Sequence, residues 1–192
     1  MDITLHLGAH RTGTTSFQAY LQEVRGHLAA AHWEVWTPRI TRGRVLKGVP
    51  PLAPGREATR QLDIVRMQVD EALSDLYVSE VTQLLISDEN LLGMPRRNIR
   101  NRALYRDAGW RLTWLDRAFE GRITRVALTI RPQAQYWRSL LTLAVMRGHP
   151  MPKPWDFTQI AEAGERWRET VRIVAEALPG AELQVFPFDL SV

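Results

Sequence analysis

Apolar and polar positions along the chain switch between the two-residue period of strands and the 3.6-residue period of helices. Alternating or β-branched segments predict strands at Ile3–Leu7, Trp33–Trp36, Gln83–Ser87, Ile123–Ile130 and Glu182–Phe186. Helical spacing predicts helices from about Thr14 to Ala31, over Leu62–Leu76, in a broken stretch at 95–120, around Tyr136–Leu143 and over Ile160–Leu178. This order predicts an α/β fold: a three-layer sandwich around a central, mainly parallel sheet, with Ile3–Leu7 in its interior.

Two segments rich in proline and glycine separate these elements. Residues 38–57 predict a long mobile loop, which is either a lid over a binding site or a surface excursion. Residues 148–156 predict a second, shorter loop. The 192 residues fit a single domain, since domains span roughly 100–200 residues.

The segment between the first strand and the first helix is the strongest candidate for a binding site. Gly8 and Gly13 have the spacing of the Walker A loop, G-x-x-x-x-G-K-[ST], which makes the fold one of the P-loop type. Glycines let the backbone curl around an anion, and the start of the next helix adds unpaired N–H groups. Thr14 occupies the place of the Walker lysine, and Arg11 is the nearest cation. The alternative is an ordinary tight turn between a strand and a helix.

The whole segment His6–Ser16 resembles the 5′-phosphosulfate loop, K-[ST]-G-T-T, of sulfotransferases that use 3′-phosphoadenosine 5′-phosphosulfate (PAPS). The resemblance implies that one set of loop residues binds the phosphosulfate: Gly8, Arg11, Thr12, Gly13, Thr14 and Thr15. By position, Arg11 matches the lysine that contacts the bridging oxygen and the sulfuryl group in that family. Arginine keeps the charge but lacks the compact ammonium and cannot release a proton, which bears on the rate of transfer more than on binding.

A second signature of the same family is an arginine at a strand end with a serine eight residues later, which together bind the 3′-phosphate. Arg131 follows the predicted strand Ile123–Ile130, and Ser139 lies eight positions on. The surrounding residues, Arg131 to Tyr136, are similar to the R-P-Q-x-x-Y of bacterial sulfotransferase-like proteins. Without the resemblance, Arg131 merely caps the strand end and Ser139 packs on a helix.

Sulfuryl transfer to a hydroxyl needs a base near the acceptor. Ser87-Asp88-Glu89-Asn90 follows an apolar strand at the edge where functional groups of such sheets gather. In the resembling family a glutamate or histidine from this region serves as the base, which makes Glu89 the first candidate, and His10 is the second because histidine titrates near neutral pH. The strand before Asp88 also looks like a Walker B strand, which leaves open a kinase with Asp88 near Mg²⁺. Asp88 or Glu89 as a simple turn cap remains a further alternative.

The composition narrows the possible partners. The absence of cysteine excludes disulfides, thiolate zinc sites and cysteine nucleophiles. The net charge is +4, and nearly all basic residues are arginines, which suit phosphate and sulfate but also follow from a biased genome composition. These residues are too scattered to predict a nucleic-acid site. Without a long apolar run or a basic leader, the chain is expected to lack a membrane span and to be cytoplasmic.

The resemblance therefore implies a sulfotransferase that moves a sulfuryl group from PAPS to a hydroxyl of a small-molecule or glycan acceptor, releases 3′-phosphoadenosine 5′-phosphate (PAP) and needs no metal. A P-loop nucleotide kinase or NTPase and a non-catalytic nucleotide-binding module are the alternatives. Tryptophans suited to sugar platforms, or to burial, are Trp33, Trp36, Trp137 and Trp155. Many family members continue past the last strand with a basic segment that clamps the 3′-phosphate. Since the chain stops at Val192, we expect a short member or a chain from which a piece has been removed.

Overall fold

The computed structural model of the protein describes residues 1–47, 54–150, 153–162 and 167–188. Within these ranges, one sheet contains five parallel strands in the order β2-β3-β1-β4-β5. The strands are β1 (Asp2–Gly8), β2 (Trp33–Trp36), β3 (Gln83–Ser87), β4 (Arg125–Ile130) and β5 (Glu182–Pro187). Helices flank the sheet, so the predicted three-layer α/β fold is confirmed.

The helices fill the connections between the strands. They are α1 (Thr14–Glu23), α2 (Arg25–Ala30), α3 (Pro38–Ile40), α4 (Arg56–Val78), α5 (Pro95–Asn101), α6 (Ala108–Ala118), α7 (Gln133–Met146), α8 (Pro154–Glu162) and α9 (Trp167–Ala177). The connection from β1 to β2 runs along the sheet in the opposite direction to the other three. Right-handed crossovers therefore place α1 and α2 on one face of the sheet and α4, α6 and α9 on the other.

Strand β1 lies at the centre of the sheet, as predicted, and positions the candidate loop. It pairs with β3 on one side and with β4 on the other. Ile3, Leu5 and Leu7 are each at most 1% exposed, because helices cover both faces of an interior parallel strand. Since all strands are parallel, the carboxyl ends of β1, β3 and β4 meet at one edge, which is where ligands bind in such sheets.

Two predicted helices are divided in the structure, and one predicted loop is partly helical. The helix predicted from Thr14 to Ala31 is interrupted at Val24, whose ψ of 9° leaves the helical range. A β-branched residue close to Gly26 lowers helix propensity at this point. The predicted helix Ile160–Leu178 is divided between α8 and α9, and residues 163–166 between them lie outside the described ranges. Helix α8 begins inside the predicted loop 148–156, because Pro154 suits a first helical turn.

The segment 38–57, predicted as a mobile loop, is described at 38–47 and 54–57. Its first part departs from that expectation: α3 continues into a single π-helical turn, Thr41–Val45, and Thr41, Val45 and Leu46 are buried. The Thr41 hydroxyl donates a hydrogen bond of 2.6 Å to the Asp88 carboxylate, so a tertiary contact orders residues whose composition favours a loop. Residues 48–53 lie outside the described ranges, and α4 begins at Arg56.

No helix in the described part of the chain combines the length and the apolar character needed to cross a membrane. The core instead consists of apolar side chains shared between the sheet and its covering helices. Trp114 on α6 is 1% exposed, and its indole N–H donates to the Ala58 carbonyl on α4 at 3.0 Å. This bond joins two helices on the same face of the sheet.

We expect Ile3→Ala to lower the free energy of unfolding by about 2–5 kcal/mol, because it opens a cavity in the central strand. The matched control is Ile64→Ala on α4, where the side chain is 51% exposed. That change should stay within about 0.5 kcal/mol of the wild type. Chemical denaturation of both variants measures the difference, and equal losses would contradict the central position of β1.

Candidate functional site

The loop after β1 has a backbone that its two glycines make possible. Gly8 and Gly13 lie in the left-handed region, with φ of 75° and 74°. A Cβ on Gly8 would approach the Cγ2 of Thr14 to 2.8 Å and the Cβ of Glu89 to 3.0 Å. Arg11 shares the left-handed conformation, with φ of 68°, without being a glycine. Such a backbone persists only where surrounding contacts hold it, and it wraps the loop around the start of α1.

The two motifs found in the sequence meet at Arg11. The Arg11 Nε donates to the Ser139 hydroxyl on α7 at 2.8 Å. The Arg131 Nη1 donates to the Arg11 carbonyl at 2.8 Å, and its Nη2 donates to the Gln135 side chain at 3.1 Å. The strand end, the serine helix and the loop are therefore one connected unit.

A cavity of about 700 Å³ opens where these elements meet. Its described lining consists of Arg11, Gly13, Thr14, Thr15, Ser16, Arg131, Gln135, Arg138, Ser139, Thr142, Leu143, Met146 and Phe188. This lining contains three arginines and no carboxylate. The volume is in the range of small-molecule sites, roughly 300–1,000 Å³, and the charge favours an anion.

The pKa of Arg131 reflects its burial and the positive charges of the other two cavity arginines. Burial lowers the pKa of Arg131, and the neighbouring charges of Arg11 and Arg138 lower it further. Its Nε is buried without a hydrogen-bond partner among the described atoms, and its guanidinium lies 5.6 Å from the centre of the Phe188 ring. Among the described lining residues these like charges have no carboxylate beside them, an arrangement that is unfavourable in the free protein and that a bound anion would relieve.

The predicted binding residues divide into two groups. Six of them line the cavity: Arg11, Gly13, Thr14, Thr15, Arg131 and Ser139. Gly8 and Thr12 shape the loop instead, since the Thr12 hydroxyl donates to the Ala9 carbonyl at 2.7 Å. No side chain in the described structure caps the N-terminus of α1, so its first N–H groups remain donors beside Thr15 and Ser16.

The predicted base Glu89 lies beside Gly8, on the β3 side of the loop, and is not one of the described residues lining the cavity. Its two carboxylate oxygens accept hydrogen bonds from Gln18 at 2.9 Å and from Arg42 at 3.0 Å. Burial raises the pKa of Glu89, but hydrogen bonds from its own backbone N–H, from Gln18 and from Arg42 bring that pKa below its usual value. These three hydrogen bonds, of which the one from Arg42 is also an ion pair, hold Glu89 in its ionised form and weaken it as a base.

His10 and Asp88 are both engaged in structural contacts. The His10 ring is buried between the Tyr105 hydroxyl, at 2.9 Å from Nδ1, and the Asn90 side chain, at 3.0 Å from Nε2. Burial lowers the pKa of His10. The Asp88 carboxylate accepts hydrogen bonds from Thr41, from Arg42 and from the backbone N–H of Asn90. Neither side chain is one of the described residues that face the cavity.

Sequence reasoning missed several residues of the site. Arg138 lies seven positions after Arg131, on the α7 side of the cavity. Seven positions correspond to about two helical turns, and this spacing is the signal by which the sequence could have identified Arg138. Arg42 lay within the segment interpreted as a loop, and Phe188 reaches the cavity only because β5 pairs with β4. Of the tryptophans, Trp36 and Trp137 are buried, whereas Trp155 is 53% exposed. Within the described ranges, no three side chains of the metal-binding types come together.

Comparison of the chain with family models, with curated proteins and with solved structures finds no match. The chemistry of the cavity therefore has to be inferred from its own residues and charges. Its chief features are the loop between Gly8 and Gly13, the bond from Arg131 to that loop and the three arginines among the described lining residues.

A second histidine, His6, lies beneath the loop on β1. Its Nδ1 is 2.8 Å from the Ser87 hydroxyl, and the edge of its ring contacts Phe17 at 4.7 Å between ring centres. Burial lowers its pKa to about 4, and the nearby charge of Glu89 opposes this shift only in part. The folded state therefore binds a proton at His6 less readily than the unfolded state does.

Because of this difference, the free energy of unfolding decreases as the pH falls. The contribution of a neutral His6 is fully present above the unfolded pKa of 6.5 and is lost as pH falls from 6.5 towards 4. We expect His6→Gln to flatten the decline of the unfolding free energy over that range, by at most about 1.4 kcal/mol per pH unit. Denaturation at a series of pH values measures the slope. His27→Gln, at an exposed position, is the control, and a His6→Gln slope equal to that of the control would contradict the assignment.

Proposed function

We propose that this protein is a PAPS-dependent sulfotransferase, which transfers a sulfuryl group from PAPS to a hydroxyl of a small-molecule or glycan acceptor. The observation that carries the proposal is the convergence of Arg11, Arg131 and Ser139 on one cation-lined cavity. In the sequence, these residues belong to two separate motifs of that family. Their meeting supports a ligand with two anionic groups better than it supports an ordinary turn.

The cavity offers a separate set of donors for each anionic end of PAPS. Arg11, Thr14, Thr15 and the first N–H groups of α1 suit the 5′-phosphosulfate. Arg131, Arg138 and Ser139 suit the 3′-phosphate, and the unpartnered Nε of Arg131 is a buried donor available to it. PAPS supplies the sulfuryl group, and the protein supplies fixed positive charge around it.

In the transfer, the acceptor oxygen forms a bond to sulfur while the bond from sulfur to the bridging oxygen breaks and PAP leaves. Negative charge grows on the bridging oxygen, and preorganised donors of the type that Arg11 and the loop provide are typically worth about 3–4 kcal/mol each. Glu89 is the proposed base for the acceptor proton. Its ion pair with Arg42 has to open for that role, because the bonds to Arg42 and Gln18 occupy both oxygens.

A metal-dependent kinase is the competing function, and the hydrogen bonds of Asp88 support the sulfotransferase over it. In a kinase Asp88 would face Mg²⁺, but here its oxygens are held by Thr41, Arg42 and the Asn90 N–H. The deciding experiment is calorimetric titration with PAP without metal and with ATP plus Mg²⁺. The proposal expects PAP to bind more tightly, whereas tighter binding of Mg²⁺-ATP would favour the kinase. Binding of PAP without turnover of PAPS on any hydroxyl acceptor would leave a nucleotide-binding module.

The proposed function makes a prediction about the residues that bind the 3′-phosphate. We expect Arg138→Ala to weaken PAP about 10- to 100-fold, as for a lost charge-assisted hydrogen bond, while adenosine 5′-phosphosulfate, which lacks that phosphate, changes little. Arg131→Ala should weaken both ligands, because Arg131 also holds the Arg11 carbonyl. Calorimetry with both ligands measures the losses, and Arg117→Ala on the exposed face of α6 is the control. An equal loss of both ligands in Arg138→Ala would place the 3′-phosphate elsewhere.

The proposed function also makes a prediction about Glu89 as the base. Glu89→Gln should lower turnover by about 10²–10⁴-fold, since the amide cannot accept the acceptor proton. PAP affinity should stay close to that of the wild type, because Glu89 does not line the cavity. Glu23→Gln at an exposed position of α1 is the matched control. Turnover that survives in Glu89→Gln would transfer the role to His10, which His10→Gln then tests.

A further inference from the structure

The side of the loop that faces away from the cavity rests on a buried chain of polar side chains. The Tyr105 hydroxyl lies 2.9 Å from the backbone N of His10 and 2.9 Å from its Nδ1. The Tyr136 hydroxyl donates to that of Tyr105 at 3.3 Å, and the Asn98 amide donates to Tyr136 at 2.7 Å. All four residues are buried. A buried polar chain is stable only when its members are paired, so this one fixes the position of each.

The direction of the hydrogen bonds follows from the number of protons available. The Tyr105 oxygen accepts from the His10 N–H and from Tyr136, so its only proton is directed at the His10 Nδ1. The ring nitrogen Nε2 then carries the ring proton, and this N–H donates a hydrogen bond to the Asn90 Oδ1 at 3.0 Å. Burial lowers the pKa of His10, which keeps the ring in this neutral form.

We propose that Tyr105 is a positioning residue for the loop Gly8–Thr15. Tyr105 holds His10 away from the cavity and thereby turns Arg11–Thr15 towards the bound anion. The inference rests on the proposed function only in that the cavity binds an anion. Tyr105 is itself held in the left-handed region, with φ of 41°, and its N–H donates to the Asn98 side chain at 3.0 Å. A non-glycine backbone in that region needs surrounding contacts to hold it, and the same buried chain supplies them.

Tyr105 affects the affinity for the anion by holding the loop in its binding conformation before the anion arrives. A loop that already has its bound conformation loses less entropy when the ligand arrives. Removal of the Tyr105 hydroxyl leaves the buried His10 N–H without its acceptor, and the loop can regain that bond only by moving. The expected consequence is weaker binding of an anion that Tyr105 never touches.

The test compares Tyr105→Phe with Tyr136→Phe, using inorganic pyrophosphate as the probe at a temperature where both variants are folded. Each change removes one buried tyrosine hydroxyl, but only that of Tyr105 contacts the loop. We expect Tyr105→Phe to lose about tenfold in pyrophosphate affinity and Tyr136→Phe to stay within about twofold. A general loss of stability would not produce this difference, because both variants lose buried hydrogen bonds.

A spectroscopic measurement accompanies the titration. In ¹⁵N-histidine spectra, wild-type His10 should show the form protonated at Nε2, and Tyr105→Phe should change that signal. Equal affinity losses in the two variants, unchanged affinity in Tyr105→Phe, or an unchanged His10 signal would each overturn the proposal. Wild-type protein that binds pyrophosphate but neither PAP nor PAPS would refute the sulfotransferase and leave Tyr105 in its role. Wild-type protein that binds no pyrophosphate would refute both.

Discussion

The hydrogen bond from Arg131 to the carbonyl of Arg11 is the contact on which the candidate site depends. It joins the end of β4 to the loop after β1, and so converts two motifs 120 residues apart into one surface. The guanidinium donates to the loop through Nη1 and to Gln135 through Nη2, and its Nε has no hydrogen-bond partner within the described structure. An arginine used in this way both builds the cavity and contributes to its charge.

The loop is held from two sides by different physical means. On the cavity side the contacts are charged: Arg131 binds its carbonyl and Ser139 binds the Arg11 side chain. On the opposite side the contacts are neutral and buried, through Tyr105 and His10. Charged groups that stay partly hydrated can rearrange around a ligand, whereas a buried neutral chain resists rearrangement because each broken bond leaves an unpaired polar group. The protein therefore combines a rigid support with an adaptable binding face.

Acidic and basic groups are separated across the loop. Arg11, Arg131 and Arg138 lie on the α7 side, and Asp88 and Glu89 lie at the end of β3. Both carboxylates form ion pairs with Arg42, which the π-helical turn Thr41–Val45 brings to them and which offsets part of their negative charge. The described lining of the cavity keeps its three arginines apart from these carboxylates, and the lowered pKa of Glu89 keeps it ionised on the other side of the loop. The π-helical turn is thus part of the electrostatic design of the site, in keeping with the frequent occurrence of such turns at functional positions.

The sequence by itself determined the elements whose signal is local. Apolar periodicity gave the strand positions and the central place of Ile3–Leu7, and the glycine spacing located the loop whose φ angles at Gly8 and Gly13 require glycine. The sequence also showed that Arg131 and Ser139 resemble a family motif, but it is the structure that connects them, through Arg11, which contacts both. Only the tertiary structure decided which side chains face the cavity: His10 turns inward to Tyr105, Glu89 is held by Arg42, and Arg138 and Phe188 join the site. The physical reason is that periodicity reports the face on which a residue lies, whereas the partner of a polar side chain depends on which distant segment packs against that face.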